Sequence, residues 1–307
     1  MSTLYVSHPD CIYHEVPVGH PENSHRLQVI ETELKTRGLW EQLQHLTAPE
    51  ITRAQLERVH TPHHIDRIFQ AAPKTGLTPL DPDTSMGPHS LSGALHAAGG
   101  MVAAVDQVMA GKADNAFCAA RPPGHHAEHD RVMGFCLFNN IAVAAAHALE
   151  EHGLQRVAIL DFDVHHGNGT QDIFQDDPRV LFCSTHQHPF YPFTGIPVDK
   201  KNIINVPLPA GSGGDAFRVA VEQIWLPAIR KFRPQLVLVS AGFDAHRDDP
   251  LAQLAWDDDD FEWITQTIID LANEYCAGKI VSTLEGGYDP ASLSRCVSAH
   301  IALLAAR

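Results

Sequence analysis

This 307-residue sequence predicts an α/β fold, a single-domain open parallel sheet flanked by helices, on three observations. Short runs of aliphatic and β-branched residues alternate with longer segments of helical periodicity along the whole chain. Several runs are apolar almost without a break, as in VAILDFD and LVLVSAG, which suits strands covered by helices on both faces. No repeat, low-complexity segment or polar linker interrupts the pattern, so residues 1–307 read as one domain.

The strands are expected at Leu4–Val6, Ala116–Ala119, Val157–Asp163, Val180–Ser184, Ile203–Val206, Leu236–Ser240 and Ile280–Leu284. Helices are expected at His25–Arg37, Leu91–Ala110 and Ile141–His152, each closed by a glycine that can take the left-handed conformation after the last turn. A further helix spans Asp215–Phe232 and contains Pro227, and another covers Phe261–Ala277 before Gly278. The acidic run Asp257–Asp260 precedes that helix, where negative charge is stabilising. The Pro/Gly-rich stretch 73–88 lies between helices.

With 44% hydrophobic and 19% charged residues the chain can bury a substantial core, which excludes disorder as a description of the whole. No apolar run reaches the roughly 18–20 residues that span a bilayer, and MSTLYVSHPD lacks a basic segment followed by an apolar one. A soluble, unexported, cytoplasmic protein is expected. The six cysteines form no CxxC pair and read as reduced core thiols. A formal charge of −15 disfavours direct nucleic-acid binding and instead attracts cationic partners such as lysine-rich proteins or polyamines. Oligomeric state is left open by the sequence.

In open parallel sheets ligands sit beyond the carboxyl ends of the strands, and the polar motifs lie there. After VAIL comes Asp161-Phe-Asp163-Val-His165-His166-Gly-Asn168. Residues two apart on a strand point the same way, so Asp161, Asp163 and His165 would share a face, and Asp163 with His165 could hold a metal. A polar cap on the strand would use the same residues. Asp244, past the strand LVLVS, supplies a third ligand, or is an ordinary turn aspartate. Two carboxylates, one imidazole and an open position suit one catalytic zinc ion per chain.

Arg121-Pro-Pro-Gly-His125-His126 ends in two imidazoles, the candidate acid/base pair, although adjacent histidines also occur in solvated loops. Asp161 can bond His125 and Asn168 can bond His126, and different partners would separate their proton affinities. Tyr288, after Glu285-Gly-Gly, can donate to a developing oxyanion. Its bland reading is a packing tyrosine in a turn. Gly134-Phe135-Cys136 and Phe190-Tyr191 add loop aromatics, and Phe135 facing Tyr191 would make a narrow apolar slot. His63, His64, His186 and His188 are read as surface or packing residues.

Taken in order over nearly the full length, HPENSHR, RPPGHH, GFCLFNN, DFDVHHGNGT, STH, AGFDAH and EGGY resemble the histone deacetylase superfamily. Asn168 in GNGT resembles class II and bacterial histone-deacetylase-like amidohydrolases. The resemblance implies the arginase/deacetylase fold, zinc ligands at Asp163, His165 and Asp244, the histidine pair at His125 and His126, Asp161 as partner of His125, and Tyr288 as the transition-state tyrosine. It also implies a structural potassium near Asp161, Asp163, His165 and Ser184, and an arginine beneath the site at Arg26 with a role in an internal channel. Leu251 matches the leucine usual in class II enzymes, where the polyamine-selective relative carries an acidic residue. Phe193 departs from the family's PGTG, here PFTG. The function expected is zinc-dependent hydrolysis of an N-acyl amine such as an acetyl-lysine side chain. Alternatives are an acetylpolyamine amidohydrolase, a two-manganese ureohydrolase and a non-catalytic acyl-amine-binding scaffold.

Overall fold

A computed structural model describes residues 2–306. Its strands are β1 (Thr3–Ser7), β2 (Gln44–Thr47), β3 (Thr78–Pro79), β4 (Ser85–Met86), β5 (Asn115–Cys118), β6 (Val157–Asp161), β7 (Val180–Gln187), β8 (Ile203–Leu208), β9 (Leu236–Ala241) and β10 (Ile280–Leu284). The helices are α1 (Pro9–Tyr13), α2 (His25–Thr36), α3 (Arg53–Leu56), α4 (Pro62–Ala71), α5 (Ser90–Met109), α6 (Asn140–Glu150), α7 (Asn168–Phe174), α8 (Gly214–Ala220), α9 (Leu226–Phe232), α10 (Asp258–Cys276) and α11 (Pro290–Ala305).

Eight strands form one sheet in the order β2-β1-β5-β10-β9-β6-β7-β8, with every pairing parallel. β3 and β4 make a separate antiparallel pair inside the Pro/Gly-rich stretch. The near-continuous hydrophobicity of the central strands has the expected cause. Leu236 and Leu238 of β9 join Ile159 and Val281 in a core shared with α5 and α6, while Val237 and Val239 join Leu160 and Ile280 in a second core with α2, α10 and α11. Alternate side chains thus enter opposite layers, and neither face is solvated.

Three features differ from the sequence reading. β2 is an exposed polar edge strand, and it forms because the main chain of β1 offers an unpaired edge, with Leu4 opposite Gln44 and Val6 opposite Leu46. The helix expected over Asp215–Phe232 is broken: Pro227 cannot donate to the carbonyl one turn back and its ring crowds it, so the backbone opens into a π-helical turn at Val221–Trp225 before α9. β6 ends at Asp161, two residues before the expected end, so Asp163 and His165 lie in the following loop.

From β5 the chain passes over two sheet positions to β6, runs outward through β7 and β8, and returns to fill the gap with β9 and β10. The neighbours β5, β10, β9 and β6 consequently send four loops out at the same end of the sheet, at the point where strand order reverses. All six cysteines are buried, and none of them forms a disulfide among the described residues. Among the described residues no helix is long and apolar enough to cross a membrane.

Leu238 is fully buried between Ile159 and Val281. Leu238→Ala is expected to lower stability by about 3–5 kcal/mol, read from urea unfolding, because the rigid sheet cannot collapse around the cavity.

Candidate active site

The loop after β6 begins at Asp161, and two turns held by carboxylates shape it. Asp163 N donates to Asp161 Oδ1 at 3.2 Å and His165 N to Asp163 Oδ1 at 2.8 Å. These short-range bonds, rather than strand alternation, bring Asp163 and His165 together. Asp244, in the loop after β9, joins them: its Oδ1 accepts from Val164 N at 2.9 Å, and its Oδ2 lies 3.1 Å from His165 Nδ1. Asp163 Oδ1 is 3.0 Å from the same nitrogen, and Asp163 Oδ2 accepts from Gly286 N at 2.7 Å. One ligand atom from each of the three side chains lies within 4.8 Å of the others, and all three residues are buried.

This donor set fits a divalent cation. Asp244 Oδ2 is buried and makes no well-aligned hydrogen bond, although His165 Nδ1 lies 3.1 Å away, an expensive state for a carboxylate oxygen unless a cation faces it. Burial opposes a charged His165, yet the hydrogen bond to Asp163 and the proximity of Asp244 raise it to about 10. The three side chains therefore make a place that draws positive charge. A β-carbon at Gly286 would stand 1.9 Å from Asp244 Oδ2 and 2.6 Å from Asp163 Oδ2, so only glycine leaves room there.

The loop after β5 carries His125 and His126, whose ring centroids are 4.1 Å apart. His125 Nδ1 lies 2.9 Å from Asp161 Oδ2, and His126 Nδ1 lies 2.7 Å from Asn168 Oδ1. Asn168 Nδ2 donates to Glu128 Oε1 at 2.8 Å, which orients the amide so that its oxygen faces His126. His126 then carries its proton on Nδ1 and leaves Nε2 as an acceptor. The two imidazoles are driven apart. Burial lowers proton affinity at both, but Asp161, Asp163 and Glu285 raise His125 to about 10, whereas the neighbouring His125 and His165 push His126 further down.

Tyr288 follows β10, half-buried, with its ring edge-on to Phe135 at 6.2 Å and the Arg26 guanidinium 5.0 Å from its centroid. Burial raises its phenol well above the ordinary value, opposed by Arg26 and reinforced by Asp244 and Asp163, so the hydroxyl stays a donor. Arg26 Nε donates to Gly287 O at 2.7 Å and its Nη2 to Glu285 O, which fixes the turn ahead of Tyr288 from below.

Gly134, at φ +55, packs its backbone against the His126 ring. Phe135 and Tyr191 make no ring contact with each other: Phe135 packs on Tyr288 and His20, and Tyr191 stands edge-on to His126 at 5.4 Å and His165 at 6.0 Å. Phe190, to which the sequence reading gave no separate role, stacks on His165 at 5.5 Å. Leu251 is half-buried at the site's edge, and its N donates to Asp249 Oδ1 at 2.9 Å. His64 and His186 are structural, bonded to the carbonyls of Leu137 and Gly195.

Three acidic residues escaped the sequence reading. Asp249 Oδ2 accepts from Tyr288 N at 2.7 Å, so one carboxylate joins the Leu251 loop to the tyrosine. Glu285 accepts from Gly124 N at 2.7 Å, His125 N at 3.2 Å and Ser240 Oγ at 3.1 Å, tying its own loop and the loop after β5 to the end of β9. Glu22 receives Arg121 Nη2 at 2.9 Å and Arg26 Nη1 at 3.3 Å, with His14 Nε2 at 3.6 Å. Their signals were present only as isolated acids inside motifs.

The Histone deacetylase domain model matches residues 20–304. The chain belongs to the histone deacetylase family. It is 42% identical over 285 residues to the histone deacetylase-like amidohydrolase of Pseudomonas aeruginosa, covering 91% of this chain and 75% of that one. It is 37% identical over 297 residues to a probable deacetylase of Archaeoglobus fulgidus, covering 94% and 82%. The crystal structure of the HDA15 HD domain superposes with a TM-score of 0.94 at 35% identity, covering 100% of this chain and 90% of that chain. The eight-stranded parallel sheet flanked by helices is thus the deacetylase fold, and the family supports a hydrolase of the deacetylase/amidohydrolase type.

Removing one partner of a buried charge cluster leaves the others uncompensated. Glu22→Gln is expected to cost on the order of 3–5 kcal/mol at pH 7. Burial would raise Glu22, but Arg121, His14 and Arg26 hold it at about 2, below its ordinary 4.5. Its stabilisation is complete above pH 4.5 and lost as pH falls through 2. Urea unfolding across that window should show wild type converging on the variant.

Proposed function

We propose that this chain is a zinc-dependent amidohydrolase that removes acetyl or another short acyl group from an N-acyl amine, with an acetyl-lysine side chain as the leading substrate. The observation that carries the proposal is the buried Asp244 Oδ2, without a well-aligned hydrogen bond, facing Asp163 and His165 beside two histidines of opposite proton affinity. Asp163, His165 and Asp244 would hold one zinc ion; nitrogen and oxygen donors without thiolate suit a catalytic site. When bound, such an ion supplies Lewis acidity, polarising an acyl carbonyl and acidifying a water.

The chain's own groups supply the proton transfers. His126, neutral with Nε2 free, accepts a proton from the attacking water. His125, kept cationic by Asp161, supplies one to the leaving amine. The Tyr288 phenol donates to the acyl oxygen as charge develops there. Gly134, Phe135, Tyr191 and Leu251 would line the acyl passage, with Asn168 and Arg26 supporting His126 and the Tyr288 turn. A structural potassium beside Asp161 and Ser184, neighbours across β6 and β7, belongs to the same proposal, as does a cytoplasmic location.

A two-manganese ureohydrolase needs another carboxylate just after His166. A β-carbon at Gly167 would stand 2.3 Å from Asp161 Oδ2 and 3.3 Å from His125 Nδ1, so the Asp161–His125 pair occupies the room that side chain would need. This disfavours the second metal.

Tyr288→Phe is expected to lose turnover by about 100- to 1,000-fold while keeping its metal, the cost of one oxyanion donor. Undiminished turnover would remove the tyrosine from the mechanism. Asp244→Ala should lose zinc by elemental analysis, and unchanged zinc content would remove it from the ligand set. A hydrolysis panel of acyl-lysine peptides, acetylpolyamines and small acetamides, with a hydroxamate chelator control, tests the substrate. Exclusive hydrolysis of acetylpolyamines would overturn the acetyl-lysine preference, and ligand binding without any turnover would favour the scaffold.

A further inference from the structure

Among the described residues, four that are not glycine have a left-handed backbone: Phe135 (φ +69), Phe193 (φ +63), Arg233 (φ +55) and Ala277 (φ +51). Arg233 and Ala277 terminate α9 and α10, where such a residue closes the last turn. The two phenylalanines end no helix. Both belong to the aromatic loops of the candidate active site, and a bulky side chain is strained in that conformation.

Phe193 is the harder to explain as packing, because the residue is 75% exposed. Nor is it carried by a loose loop. Its N donates to Phe190 O at 2.6 Å, Thr194 Oγ1 lies 2.8 Å from His166 Nδ1, and Gly195 O lies 3.0 Å from His186 Nε2. Asn205 Nδ2 donates to Ile196 O at 3.1 Å. The backbone is anchored on both sides while the ring is held out in solvent. Ile196 and Val198, further along the same loop, are also exposed, and Tyr191, two residues before Phe193, touches His126 and His165. A cavity of about 440 Å³ shares Tyr191 and is lined by Asp81 and Asp83, with Arg67 and Arg131.

We propose that Phe193 is a specificity-determining residue, and that the acyl amine is borne on a polypeptide with an apolar side chain next to the acyl-lysine. The inference rests on the proposed amidohydrolase function and names its substrate class. An acetylated polyamine or small acetamide has no side chain to meet the exposed ring. A peptide does, because its neighbouring residues stay outside when the acyl-lysine enters. The chain's charge of −15 favours a lysine-bearing strand in the same position.

The test compares wild type, F193G and F193Y on an acetyl-lysine heptapeptide flanked by leucines, the same peptide flanked by glycines, and acetyl-lysine amide. In F193G the ratio of kcat/KM for the leucine peptide to that for acetyl-lysine amide is expected to fall about three- to tenfold, the size of an aromatic contact, mainly through KM. F193Y should restore it, and the glycine peptide should respond less. An unchanged ratio in F193G, or hydrolysis confined to acetylpolyamines, overturns the proposal. Fluorescence anisotropy of the labelled leucine peptide reads the contact independently of turnover: weaker binding by F193G supports it and equal binding overturns it. Absence of turnover in wild type would remove the proposed function while this binding arm still decided the role of Phe193. An unreduced melting temperature in F193G establishes that the variant is folded.

Discussion

Four buried carboxylates at the ends of neighbouring apolar strands are the constraint on which the site depends. Asp161, Asp163, Asp244 and Glu285 are each 0% exposed, and isolated buried charge costs several kcal/mol per ion. Most of this charge is matched by the chain. Asp161 has His125, Glu285 has two main-chain N–H groups and Ser240, and Asp163 has Gly286 N and His165. One oxygen of Asp244 makes no well-aligned hydrogen bond and has only the His165 imidazole, already shared with Asp163, beside it. The shortfall is therefore local, and it falls where three ligand atoms meet.

The bonds that compensate charge also set geometry. Glu285, at the start of the loop after β10, draws the loop after β5 and the end of strand β9 onto one carboxylate, while Arg26 reaches the carbonyls of Glu285 and Gly287 from beneath. Arg26 and Arg121 share Glu22, so the support under the tyrosine turn and the start of the histidine loop form one buried ionic unit. The same arrangement tunes proton affinity: His125 sits against negative charge and His126 against a neutral amide and two other imidazoles. Adjacent residues of one chemical type thereby acquire opposite proton preferences.

Much of this was legible in the sequence because its signals are local. The strands at Val157 and Leu236 announce themselves as apolar runs, and Asp163, His165 and Asp244 stand a few residues past them among the polar residues at the strand ends. The edge strand Gln44–Thr47 had no such signal, since its place comes from the free edge of β1 and not from its own side chains. Glu22, Asp249 and Glu285 were equally hidden. Each acts on partners far away in sequence, such as Glu22 on Arg121 and Glu285 on Gly124, and nothing in an isolated glutamate distinguishes a clamp from a surface charge.

By itself the sequence determined the class of fold, the order of the polar motifs and the residue types available for chemistry, because periodicity and strand-end position are properties of contiguous residues. Only the tertiary structure decided which oxygen of Asp244 is left without a well-aligned hydrogen bond, which way the Asn168 amide points, and that the Phe193 ring is held in solvent by a left-handed backbone. Those outcomes depend on where β10 and β9 close against β5 and β6, and on hydrogen bonds spanning up to 261 positions. Such contacts leave no pattern in any short stretch of chain.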